Sequence, residues 1–139
     1  MADKLSTLLR LRHLQADLAR ASLGHALAAE RAAETALLEA KGAPAREAAG
    51  LPPASSNALL AAYAAWLPAA AAHAVRCACL VENTQAARQE AGLVLQAGKR
   101  AVEAVEKVQQ ARQAASTQEA GRKTQSMLDD LAARLRACR

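Results

Sequence analysis

Apolar residues recur along most of this chain at helical intervals. Leu11, Leu14, Leu18, Ala21, His25, Ala28, Ala32 and Thr35 keep the alternating three- and four-residue steps of a heptad seam. Leu5, Leu8, Leu9, Leu23, Leu27, Leu37 and Leu38 broaden that stripe, and Arg10, Asp17, Arg20, Glu30 and Glu34 fall outside it. Val94, Ala97, Ala101, Ala104, Val108, Ala111 and Ala115 keep the same steps further on. Leu128, Leu131, Leu135 and Cys138 resume them in a different phase, which predicts a stutter between the two runs.

Turn-forming residues gather in one place. Gly42, Pro44, Gly50, Pro52, Pro53, Ser55, Ser56 and Asn57 form the densest cluster of breakers, so the main chain reversal belongs there. Ser55, Ser56 or Asn57 can cap the following helix by accepting from its first free N–H groups. The pattern predicts a helix over about residues 3–48, a turn region over about 49–56 and a second helix over about 57–138. Pro68 should kink the second helix or split off its first turns. Gly92, Gly98 and Gly121 come without a Pro or a polar cluster, and the helix is expected to run through them.

The fold class this implies is all-α: a long antiparallel two-helix coiled-coil hairpin with a longer C-terminal helix, forming one domain over residues 1–139. A hairpin closed near residues 42–57 cannot cover the last turns of the longer arm. Leu128, Leu131 and Leu135 should then form an apolar stripe with no partner in the chain, which implies a partner protein.

Composition strengthens the helical reading. Of 139 residues, 40 are Ala, the residue that loses no side-chain entropy in a helix. There is no Ile or Phe, and there is one Tyr and one Trp. The 20 Leu and 6 Val are few for a multilayer core but suffice for a narrow seam. The net charge is +5, with signs interleaved along the helices as on solvent-facing coiled-coil positions. Aromatic platforms for single-stranded nucleic acid are missing. The stretch from Ala58 to Cys79 is apolar, but it is mostly Ala and holds Pro68, His73 and Arg76, so it reads as a weakly amphipathic helix rather than a membrane span. The opening residues lack the basic-then-apolar pattern of a secretory signal.

Catalytic chemistry is not evident. No glycine-rich phosphate loop, HExxH or nucleophile elbow occurs. Asp129 and Asp130 are adjacent on a helix and point in different directions. His13, His25 and His73 are isolated, and His25 falls in the seam spacing, where a polar residue sets register. Cys77 and Cys79 are too close on a helix to face one partner. His73 precedes Cys77 by four residues, but a zinc site would need further ligands. Cys77, Cys79 and Cys138 read as reduced thiols of a cytosolic protein. A two-helix hairpin is expected to offer no concave ligand pocket. No catalytic, cofactor or metal site is assigned.

Three stretches carry a family likeness. They are the opening Leu8-Leu9-Arg10-Leu11-Arg12, the central Tyr63-Ala64-Ala65-Trp66-Leu67-Pro68, and the run RAVEAVEKVQQARQAASTQEAGRKTQSMLDDLAAR from Arg100 to Arg134. In these the chain resembles the FliJ family, the stalk proteins of flagellar type III export, and their injectisome counterparts. The resemblance implies a non-enzymatic, cytoplasmic stalk, peripheral at most to the inner membrane at the export apparatus. Its partners would be a hexameric export ATPase, an export-gate membrane protein and substrate chaperones. It also implies roles for matched residues. Arg10 and Arg12 in the first helix, and Arg122, Lys123, Arg134 and Arg136 in the second, would face acidic loops of the ATPase ring. Independently of the resemblance, the bare stripe of Leu128, Leu131 and Leu135 is the expected apolar contact with a partner. The alternative reading from composition is a basic helical nucleic-acid-binding protein or a self-assembling coiled coil.

Overall fold

The computed structural model describes residues 2–137, with side chains from residue 4 onward. Cys138 lies outside the described residues. Two helices account for nearly all of the chain: α1 over Ala2–Gly50 and α2 over Asn57–Ala137. No strand occurs among the described residues. α1 has 49 residues and α2 has 81, so the arms are unequal as the sequence predicts.

The ends of the helices follow from local chemistry. Leu51 closes α1 by donating its N–H to the Ala48 carbonyl. Ser56 caps α2, its hydroxyl accepting from the Leu59 N–H at 3.3 Å and so satisfying one of the free donors of the first turn. Pro68 lies inside α2 without splitting it, and Pro44 lies inside α1. Near Pro44, Arg46 reaches back and donates to the Glu39 carbonyl at 2.7 Å. Gly42 leaves room for that reach: a Cβ at residue 42 would sit 2.7 Å from Arg46 Nη1.

The chain divides into two compact units. In unit 1, Met1–Ala16 with Gly98–Arg139, the start of α1 packs against part of α2. Ala16 and Val102 are buried, and Leu5, Leu9, Arg12, Ala101 and Val105 are half-buried beside them. The helices come close at Gly98, where an added Cβ would lie 3.5 Å from Ala16 Cα. His13 Nε2 stands 3.8 Å from Glu106 Oε1.

In unit 2, Asp17–Ala97, Ala19, Ala33 and Ala40 of α1 are buried, as are Ala70, Cys77 and Leu95 of α2. Two contacts fix the direction of the pair. Tyr63 meets Pro44 and Arg88 meets Glu30, so the helices run antiparallel. Of the buried side chains, Ala16, Ala19, Ala33, Ala40 and Ala70 are Ala, and the most covered, Ala33, is 3 % exposed. Small residues let the backbones approach closely, while the apolar area removed from water stays modest.

The seam is not the one the spacing suggests. Leu11 and Leu14 in unit 1, and Leu18 and His25 in unit 2, are exposed; Leu14 is 60 % accessible. The buried phase on α1 runs through Leu5, Leu9, Arg12 and Ala16, then Ala19, Leu23, Ala26, Glu30, Ala33, Leu37 and Ala40. Its leucines are spread over the whole helix, whereas Leu11, Leu14 and Leu18 are bunched at one end. On α2 the correction is one residue. Leu95 and Val102 are buried where the spacing puts Val94 and Ala101. His25 therefore sets no register.

Candidate partner-docking segment

Past Glu106, α2 in unit 1 has no covering element. Every described residue from Lys107 to Ala137 is exposed. The sequence explains why the seam stops. The positions that continue its phase are Gln109, Arg112, Ser116, Glu119, Lys123, Ser126 and Asp130, none of them apolar. The helix persists because its interior is rich in Ala, Gln, Glu and Lys, good helix formers, and because local side-chain bonds support it. Lys123 Nζ pairs with Glu119 Oε1 at 2.9 Å, and Gln125 Nε2 donates to Asp129 Oδ1 at 2.9 Å, both one turn apart.

A new apolar stripe opens within this exposed stretch. Leu128, Leu131 and Leu135 lie on one face, each more than half accessible, and Met127 joins them. Sequence spacing finds the three leucines but not Met127, which sits one residue before Leu128 and widens the stripe. Arg122 and Lys123 are exposed too, but Arg122, nine residues before Leu131, is on the opposite face of the helix; flanking the stripe are the exposed Arg134 and Arg136. The last two lie in the final turn of α2, where cations complement the helix dipole.

The expected residues of the first helix are less uniform. Arg10 is exposed, while Arg12 is half-buried and donates to Gln15 Oε1 at 3.0 Å. All nine expected partner-binding residues belong to unit 1. Among the described residues of unit 1, nothing lies against the stripe at Leu128. The arrangement offers a bare apolar face flanked by Arg134 and Arg136, and among the described residues no acid–base or nucleophilic pair accompanies it.

Elsewhere, unit 2 carries open grooves that the sequence does not anticipate. Glu47, Leu51, Leu59, Ala62, Tyr63 and Trp66 line an open groove of about 320 Å³. Tyr63 and Trp66 stand with ring centroids 5.9 Å apart. His73 Nε2 lies 3.7 Å from the buried Cys77 Sγ, and Cys79 is exposed. No cluster of three or more His, Cys, Asp or Glu able to hold a metal occurs among the described residues.

Comparison with protein-family models, curated proteins and solved structures finds no match to this chain.

Proposed function

We propose that this chain is a non-enzymatic stalk of a type III protein export apparatus, a coiled-coil hairpin that links and stimulates a hexameric export ATPase. The observation that carries the proposal is the uncovered end of α2. Beyond the seam it presents Leu128, Leu131 and Leu135 in a new phase, with Arg134 and Arg136 on either side and Arg122 and Lys123 exposed one to two turns before. A stalk needs such an end: apolar surface to enter a ring, and cations to meet its acidic loops. Exposed ion pairs of this kind contribute about 0–1 kcal/mol each, so the cations steer and the stripe holds. The FliJ-like stretches at Leu8–Arg12, Tyr63–Pro68 and Arg100–Arg134 support the same reading.

In this reading Arg10 and Arg12 of α1, beside the His13–Glu106 contact, supply further cations to the same partner. The export gate and substrate chaperones meet other faces, and the protein works in the cytoplasm beside the membrane-embedded gate. The test mixes the purified chain with the export ATPase of its own organism and follows ring assembly and ATP hydrolysis. Full-length chain should promote both, and a chain ending after Gly121 should promote neither. Equal stimulation by the shortened chain would overturn the role given to the final segment. No stimulation by either, with no ATPase or gate recovered in a pull-down, would overturn the stalk reading.

A further inference from the structure

Between Glu47 and Arg76 the chain contains no Asp, Glu, Lys or Arg. From Ala58 to Val75 the polar groups are the Tyr63 hydroxyl, the Trp66 indole, and His73. A helix that is apolar all round is normally buried in a protein core or in lipid. This one is not buried: α2 holds an 18-residue window of mean hydropathy 1.5, of which 6 % is covered. Leu60, Leu67 and Val75 stand exposed along one side of it.

We propose that this charge-free end of unit 2 is a lipid-binding surface that lies in the interface of a bilayer. Three observations favour lipid over a protein partner. Protein interfaces are ringed by polar and charged groups that fix orientation, whereas α2 itself carries no charged side chain on any face from Asn57 to Val75, and Glu47 of α1 is the one charge lining the groove beside Trp66. The chain's only Tyr and only Trp sit here, half-buried at the groove beside α1, and these are the residue types that settle at the boundary between acyl chains and headgroups. Lys41, Arg46 and Arg76 flank the region beside Glu39 and Glu47, so cations are at hand for anionic headgroups although the flank is of mixed sign.

The segment lies on the bilayer and does not cross it. Ala70 and Cys77 are buried in unit 2, and the Tyr63 hydroxyl is bonded to Pro44 of α1. Crossing would either break that packing or carry Glu39, Lys41, Arg46 and Glu47 of α1 into hydrocarbon. Lying flat leaves the packing intact and turns Leu60, Leu67 and Val75 into the acyl boundary, with binding that scales with the apolar area buried. The proposal does not depend on the stalk reading.

Trp66 reports the event directly, since no other Trp contributes emission. The full chain is mixed with vesicles of phosphatidylcholine and phosphatidylglycerol, and Trp66 fluorescence and co-sedimentation are followed. Brominated acyl chains serve as a quencher. The expected result is a blue shift of Trp66, quenching by the brominated lipid, and at least about tenfold weaker binding for Leu60→Glu/Leu67→Glu. Both leucines are exposed, so helical content by circular dichroism should be unchanged in that variant. Leu93→Glu, at an exposed site of unit 2 outside the segment, should bind as the parent does. The proposal is overturned if the chain stays in the supernatant with unaltered Trp66 emission, which would leave the surface to a protein partner. It is equally overturned if the double variant sediments as well as the parent.

Discussion

The Tyr63 hydroxyl on α2 donates to the main-chain carbonyl of Pro44 on α1 at 2.9 Å. The bond ties the two helices of unit 2 beside the turn, at a point where a proline interrupts the hydrogen bonding of α1. The Pro44 carbonyl has a second lone pair, and the half-buried phenol supplies its donor.

Tyr63→Phe keeps the ring beside Trp66 and removes only that donor. It should lower stability by about 0.5–1.5 kcal/mol, the net value of one such bond. Chemical denaturation with an unchanged slope would register it. No loss of stability would mean that the phenol bonds water equally well.

Arg88 Nε meets Glu30 Oε2 at 2.7 Å, with side-chain accessibilities of 38 % and 12 %. The asymmetry makes the two partners unequal. Arg88→Ala strands a nearly covered carboxylate and should cost about 1–3 kcal/mol. Replacing both by Met should cost less than the single Arg88 change, because no charge is then left without a partner. A double-mutant cycle decides this, and additive losses would contradict it.

Gly98 faces Ala16 with room for one methyl group, since its added Cβ would make an ordinary contact at 3.5 Å. Gly98→Ala should stabilise the chain by up to about 1 kcal/mol through helix propensity. Gly98→Leu should destabilise it by forcing the helices of unit 1 apart. Thermal melts of the two variants should therefore shift in opposite directions.

Leu128→Glu/Leu131→Glu changes two exposed positions that touch nothing described. Its melting should stay within about 0.5 kcal/mol of the parent, as for surface substitutions generally. Stimulation of the export ATPase by this variant should fall at least tenfold. A change in melting with stimulation intact would mean that the stripe serves the chain's own packing.

Much of this architecture is legible in the amino-acid sequence. Forty alanines and a single cluster of breakers dictate two helices, and Ser56 caps the second as its position suggests. The bare leucines at 128, 131 and 135 follow from unequal arm lengths alone. The seam phase is not legible there, and the reason is physical. α1 carries two apolar stripes, and periodicity alone does not say which one a partner helix covers. The Leu5–Leu9–Leu23–Leu37 phase is covered because it extends over the whole of α1. Its Glu30 looks like a disqualifying charge until Arg88 is seen opposite. The groove beside Trp66 is equally hidden, since it is built from residues on either side of the turn.

The most direct measurement is amide hydrogen exchange on the full chain, alone and with the export ATPase. Free in solution, α2 should exchange fast beyond Gln109, where a helix has only its own backbone bonds, and slowly around Leu95 and Val102. On adding the ATPase, protection should appear around Leu128–Leu135. Slow exchange there in the free chain would mean that the stripe is already covered. Unchanged fast exchange with the ATPase bound would contradict docking through this segment.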